Sequence, residues 1–289
     1  GYYKLFSKSN IGMSFNFSDA TASGGIANGL WYFADRCNDP GLAYNEIPNL
    51  EDFAKGCFPI VFMKYAQHLG GARIEGTSKR LYAAQGVNPL IMARSGWTPD
   101  DPYLGFKAGS ASASHAHMDV GEFVYDAFGY RWAMDYSRPS YSHLEVKLKA
   151  YGEKLFSRHQ EAMRWQIYGY NNRQHNTLTV NDKDHNVEGM AALVSSFDEL
   201  GRIGGTVDFK DTFFDDLKSA VRTASICDGS YLEVVDQIET KEGAPAKVRW
   251  TMVTPAKVSV TPDGIILSQG KVRMKLAVEG AEVRYCTWP

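Results

Sequence analysis

Cysteine is scarce in this chain. Only four occur in 289 residues, at Cys37, Cys57, Cys227 and Cys286, widely scattered and never in CxxC spacing. That spacing argues against a thiolate metal site and leaves disulfides undecided, with buried free thiols as the expectation. Long apolar runs are also missing: none approaches the ~20 residues that a membrane-crossing helix requires, so no membrane insertion is expected. Charge of one sign is lacking too. A net charge of −2 gives no global attraction to nucleic acid or anionic lipid. There is no internal repeat and no low-complexity tract. Neither an initiator Met nor a secretory leader precedes Gly1-Tyr2-Tyr3, so the chain reads as a mature or excised piece.

What is present is core-forming material. The chain is 44% hydrophobic and 13% aromatic, enough for a substantial core and against disorder. Residues 1–90 read as mainly helical. Asn16-Phe17-Ser18-Asp19 offers capping residues, and Ile26, Leu30, Tyr32 and Phe33 form an apolar stripe that Asn38-Asp39-Pro40-Gly41 breaks. A second helix is expected from Leu50 to Leu69, with Pro59 near a start or kink. These would be the last helices of a larger helical domain. Residues 91–289 change texture, with short Val, Ile, Phe, Tyr and Thr runs separated by turn residues. Ala220 to Cys227, Tyr231 to Ile238, Val258 to Val260, Val272 to Val278 and Val283 to Cys286 are examples. The expected fold is mainly β, a large antiparallel sandwich preceded by a few helices. Between the strand groups, Glu145 to Tyr168 reads as a long polar loop with a short helix.

The chemistry concentrates between Ser110 and Tyr141. His115, His117 and Asp119 alternate with Ala116 and Met118, and in an extended strand such residues share one face. The strand would continue through Tyr125, turn at Phe128-Gly129 and return to Asp135. His175 follows in the strand-like run N-N-R-Q-H-N-T-L-T-V. His117, Asp135 and His175 then make a His2Asp set that suits Zn²⁺. His68, His143, His159 and His185 lack such company and read as surface or core histidines.

From Arg131 to His175 basic residues outnumber acidic ones. Arg138, Lys147, Lys149, Arg158, Arg164 and Arg173 are among them, with Tyr136, Tyr141, Tyr151, Tyr168 and Tyr170 interleaved. Such a cleft suits an anionic polysaccharide whose rings stack on aromatics; Arg138, Arg173 and Tyr151 are the candidate substrate contacts. A solvated basic loop is the plainer alternative.

The block H-A-H-M-D-V-G-E-F-V-Y-D-A-F-G-Y-R-W-A-M-D, followed by H-N-T-L-T-V and preceded by F-N-F-S-D-A at Phe15 to Ala20, resembles the β-domain of heparinase II/III-like polysaccharide lyases. The resemblance spans roughly Phe15 to Asp182. It implies an incomplete α/α-toroid packed on a large antiparallel β-sandwich, with the helices of residues 1–90 ending the toroid. It also implies β-elimination of a uronate polymer such as heparan sulfate or alginate. By the same resemblance His117, Asp135 and His175 fall on zinc ligands and His115 on a catalytic histidine. Tyr141 is the first choice for a second functional tyrosine, with Tyr151 the alternative. The missing part of the toroid is expected to complete the active site, and the family implies a bacterial periplasmic or secreted enzyme.

Two rivals remain at this level. His117, Asp119 and His175 also fit the H-x-D…H facial triad of non-heme iron oxygenases, although no Arg follows His175 until Arg202. A non-catalytic carbohydrate-binding sandwich with a structural metal clip is the other.

Overall fold

The computed structural model describes residues 1–50 and 74–287, apart from the Leu50 side chain. The helix expected from Leu50 to Leu69 therefore lies outside the described residues. The chain starts with α1 (Tyr2–Phe6) and α2 (Gly29–Arg36), followed by a 3₁₀ turn at Pro40–Glu46. That turn begins where Asp39 accepts a hydrogen bond from the Gly41 amide at 3.1 Å, with Pro40 at its first position. Both choices suit a helical start, since the first amides lack backbone partners.

Five antiparallel strands follow in sheet order: β1 (Leu81–Ala84), β2 (Leu90–Arg94), β3 (Tyr103–Lys107), β4 (Phe123–Ala127) and β5 (Tyr130–Ala133). β4 and β5 join through Phe128 and Gly129, both at positive φ, the geometry that matches strand twist in a two-residue hairpin. β2, β3 and β4 are buried along their whole length. Alternation sends their side chains to two different cores. Ile91, Ala93, Leu104, Phe106 and Tyr125 join Leu193, Ile203, Val207, Ala224 and Ile226 of a second sheet. Leu90, Met92, Tyr103 and Val124 meet Leu5, Phe6, Phe15, Trp31 and Leu42 from the first fifty residues. The central sheet is thus a middle layer, and each large apolar side chain it buries contributes roughly 1.5–3 kcal/mol. Gly105 makes this possible on β3, because a Cβ there would lie 2.5 Å from the Phe15 ring.

The second sheet has the order β10-β9-β8-β7, from β7 (Ala192–Glu199), β8 (Arg202–Asp208), β9 (Leu217–Cys227) and β10 (Tyr231–Thr240). β6 (Leu178–Val180) pairs with β11 (Val248–Trp250). β12 (Lys257–Thr261), β13 (Gly264–Gln269) and β14 (Val272–Leu276) form a three-stranded sheet. A third helix, α3 (Tyr141–Lys149), sits in the long connection between β5 and β6, as expected. Among the described residues no helix is long and apolar enough to cross a membrane.

The fold is mostly antiparallel β with few helices, in line with the sequence. Several local expectations fail. Asn16 to Asp19 cap nothing, since the helix starts only at Gly29. β1 already lies within residues 1–90, and Val283 to Cys286 form no strand. Residues 111–122 are turns and irregular chain, so His115, His117 and Asp119 do not share a strand face. Cys227 is a buried free thiol, but Cys37 and Cys286 are exposed.

Candidate functional site

The histidine segment is shaped by its backbone. Positive φ at Gly109 and Gly121 brackets it, and His115 itself sits at φ 60. A left-handed conformation is uncommon for a residue with a side chain. Here it turns the His115 ring outward, with 55% of its side chain exposed, while His117 two residues later is buried. The two histidines thus serve different environments.

One carboxylate joins them. Asp19 lies in the loop that Phe15 anchors against Gly105, and its two oxygens face different groups. Oδ2 lies 3.0 Å from His115 Nδ1 and accepts a short hydrogen bond from the Tyr141 hydroxyl. Oδ1 lies 3.1 Å from His117 Nε2 and 3.4 Å from the Tyr170 hydroxyl. The Tyr141 hydroxyl is also 2.9 Å from His115 Nδ1. Burial works to raise the Asp19 carboxyl, but hydrogen bonds from His117 and Tyr141 outweigh it and hold the group below its usual range. Burial, then the bond to Asp19, pushes the Tyr141 hydroxyl up to about 12, so it keeps its proton at neutral pH.

An ionised Asp19 also fixes ring protons. With Nδ1–H donated to Asp19, His115 presents a bare Nε2. With Nε2–H donated to Asp19, His117 is left with a bare Nδ1, and that atom is buried without a partner. His175 completes the pattern. Its Nδ1 lies 3.0 Å from Glu122 Oε2 and 3.1 Å from Asp135 Oδ2, and its buried Nε2 has no partner.

His117, Asp135 and His175 are all buried, and one potential ligand atom from each lies within 4.8 Å of the others. Buried polar atoms left without a hydrogen bond cost ~1–3 kcal/mol each, yet His117 Nδ1 and His175 Nε2 have none, and Glu122 Oε2 and Asp135 Oδ2 share only the one His175 Nδ1. The nearby carboxylates Asp119, Glu122 and Asp135 face one lysine, Lys107, at 2.7 Å from Asp119. Burial and then the Asp135 charge raise the Glu122 carboxyl. Burial opposes protonation of His175, but the Glu122 charge overrides it and raises that imidazole. A divalent cation would relieve both conditions, and the donor set fits zinc.

Asp119 does not belong with the two histidines. Its Oδ1 pairs with Lys107, and its Oδ2 accepts from the Ser18 amide at 2.8 Å and hydroxyl at 2.7 Å. Burial favours its neutral form, but Lys107 prevails and lowers the carboxyl strongly. The facial triad of His117, Asp119 and His175 is therefore not assembled.

The remaining sequence candidates divide. Arg138 places its guanidinium 4.0 Å above the Tyr141 ring, beside the site. Arg173 instead pairs with Asp184 at 2.5 Å and donates to the Asp182 carbonyl. Tyr151, 72% exposed, takes no part in the hydrogen bonds joining His115, Tyr141 and Asp19. Sequence reasoning gave no role to Glu122 or Lys107, read Asp19 only as a helix-capping residue, and counted Tyr170 only as one of several tyrosines. His185 is a core histidine, with Nε2 at 2.9 Å from the Leu178 carbonyl.

Comparison with known proteins bears on the family and the fold. The family described as heparinase II/III-like, C-terminal, matches residues 91–283. No curated protein matches significantly. Among solved structures, a mutant of heparan sulfate lyase HepC from Pedobacter heparinus superposes with a TM-score of 0.62 at 15% identity, over 93% of this chain and 38% of that one. A heparinase III with methylated lysines gives a TM-score of 0.65 at 14% identity, over 93% of this chain and 36% of that one. At such identities the likeness is one of fold, and this chain spans well under half the length of either protein.

Proposed function

The chain belongs to the heparinase II/III-like C-terminal domain family, and from that membership we propose that it is the β-domain of a polysaccharide lyase that breaks a uronate polymer by β-elimination. One observation carries the reading: Asp19 holds an exposed imidazole and a protonated phenol together, next to a buried metal-type cluster. A structural metal clip in a passive binding domain gives no reason for His115 to be turned outward in a left-handed backbone.

The chemistry follows from the residues. The C5 proton of a uronate is weakly acidic, and removing it builds negative charge on the adjoining carboxylate. His115, with Nδ1–H tied to Asp19, offers Nε2 as the base that takes this proton. The electron pair left at C5 forms the C4–C5 double bond as the C4–O4 bond breaks. Tyr141, kept protonated by burial and by Asp19, delivers its proton to the departing O4. Arg138, stacked on Tyr141, contributes positive charge beside the leaving group. Tyr151 and Arg173 share none of the pair's hydrogen bonds and would meet the polymer only beyond the cleaved linkage.

His117, Asp135 and His175 would hold zinc, which when bound supplies a fixed positive charge that keeps the cluster in shape. Asp19 orients His117 from outside the ligand set, a common role for carboxylates around metal-bound histidines. Because the chain spans little more than a third of the matched lyases, a helical domain is proposed to complete the cleft and neutralise the substrate carboxylate. Periplasmic or secreted localisation belongs to the same proposal, since the polymer lies outside the cell.

The test uses the full-length protein, with the proposed helical domain in place, because this piece alone is expected to be weakly active or inactive. It compares that protein with its His115→Ala and Tyr141→Phe variants on heparosan, heparan sulfate and alginate, following the ultraviolet absorbance of unsaturated uronate. The expected result is an unsaturated product that falls ~10²–10⁴-fold in each variant, the usual worth of a positioned acid or base. Saturated products, or unchanged rates in both variants, would overturn the proposal.

A further inference from the structure

A cavity beside His115 has chemistry that the acid–base pair does not use. It is lined by Ser114, His115, Phe156, Arg158 and Arg164. Arg164 is fully buried, and its Nη2 donates to the Ala116 carbonyl at 2.9 Å. The guanidinium lies 4.6 Å from the Trp165 ring and 5.0 Å from the Tyr170 ring. Its Nε and Nη1 have no hydrogen-bond partner, and among the described residues no carboxylate forms an ion pair with it. Arg158 brings a second guanidinium to the same cavity, held through Nη1 by the Ser112 carbonyl at 2.6 Å.

Two like charges therefore converge on one space; the Asp19 carboxylate favours the charged Arg164 from a distance, but neither guanidinium is hydrogen-bonded to a carboxylate. A buried ion without a partner costs several kcal/mol, whereas Asp126 and Asp236 satisfy the buried Arg131 and Arg222 elsewhere in the chain. We infer that this cavity is a subsite for an anionic oxoacid group carried by a sugar, either a carboxylate or a sulfate ester. The planar fork of a guanidinium matches either group with two parallel hydrogen bonds. Phe156, whose ring centroid is 5.3 Å from that of His115, supplies an apolar wall that strengthens such a pair by excluding water. An anion held there sets its sugar next to His115. The identity of the sugar rests on the lyase reading; the anion preference does not.

Binding is the readout, so that loss of catalysis and loss of the subsite can be told apart. Calorimetric titrations use inorganic sulfate, an unsulfated glucuronate-containing tetrasaccharide, and a sulfated tetrasaccharide with its carboxyls reduced to alcohols. Arg158→Ala is the primary variant, because the side chain is exposed and its loss spares the core; Arg164→Gln is the second, with near-ultraviolet circular dichroism checking its fold. Each is expected to weaken anionic oligosaccharide binding about tenfold or more, the worth of a charge-assisted hydrogen bond, and to flatten its salt dependence. Retained binding of the carboxyl-reduced sugar identifies the group as sulfate, and its loss identifies a carboxylate. Wild-type affinity in Arg158→Ala and in folded Arg164→Gln, or equal binding of an uncharged tetrasaccharide, overturns the subsite. Anion binding with no unsaturated product from the full-length protein would leave the subsite standing and remove the lyase.

Discussion

At the scale of single residues, Asp19 joins the exposed His115 and Tyr141 to the buried His117, so the proposed metal binding and the proposed proton transfer would meet there. His117→Ala is expected to abolish metal binding, read as zinc per protein by elemental analysis. Asp19→Asn should keep the ligands but weaken zinc affinity ~10–100-fold, as changes beside metal-bound histidines do. Competition with a chromophoric chelator measures this without any assay of activity, and unchanged affinity would detach Asp19 from the metal. His185 carries a separate expectation. Burial lowers its imidazole from 6.5 to about 3. The unfolded chain binds a proton below 6.5 that the folded protein refuses, so the contribution is complete above 6.5 and lost as pH falls toward 3. The slope inside that window is ~1.4 kcal/mol per pH unit. His185→Gln should flatten the profile of urea midpoint against pH below 6.5; an equally steep profile would clear His185 of this role.

At the scale of elements, what could be read from the sequence was local. The Phe128-Gly129 turn, and the strands β8 to β10 and β12 to β14, carry their signals in neighbouring residues. β7 escaped because it is an edge strand, mostly exposed, without the apolar alternation that marks a half-buried one. The period-two spacing of His115, His117 and Asp119 misled for a different reason. It arises in irregular chain where successive groups face solvent, the buried Asp135 and His175, and Lys107 in turn. The clustering of His117, Asp135 and His175 was nevertheless legible, because those residue types are costly to bury without a use. Asp19 was not, since its partners His115 and Tyr141 lie 96 and 122 residues away along the chain. Its loop is positioned by Phe15 on Gly105. Gly105→Ala should therefore cost ~1–3 kcal/mol through overpacking and shift the Asp19 loop, read by urea denaturation together with zinc affinity. A stable variant with unaltered zinc affinity would show that Phe15 does not set the loop.

At the scale of the whole molecule, the five-stranded sheet is covered by the first fifty residues on one side and by the second sheet on the other. The layers share it, so a break in either exposes the same strands to water. For a lineage accumulating substitutions, such a sheet has no permissive side. Drift is free on the outer faces of β7 and β10, where side chains reach solvent, but within β2, β3 and β4 almost any polar replacement meets a core. Deep mutational scanning for folded protein should accordingly show tolerance alternating from residue to residue in β10 and intolerance running unbroken through β2, β3 and β4. Two homologues of this chain can then differ at most positions and still be traced to one ancestor by the hydrophobic strands at their centre.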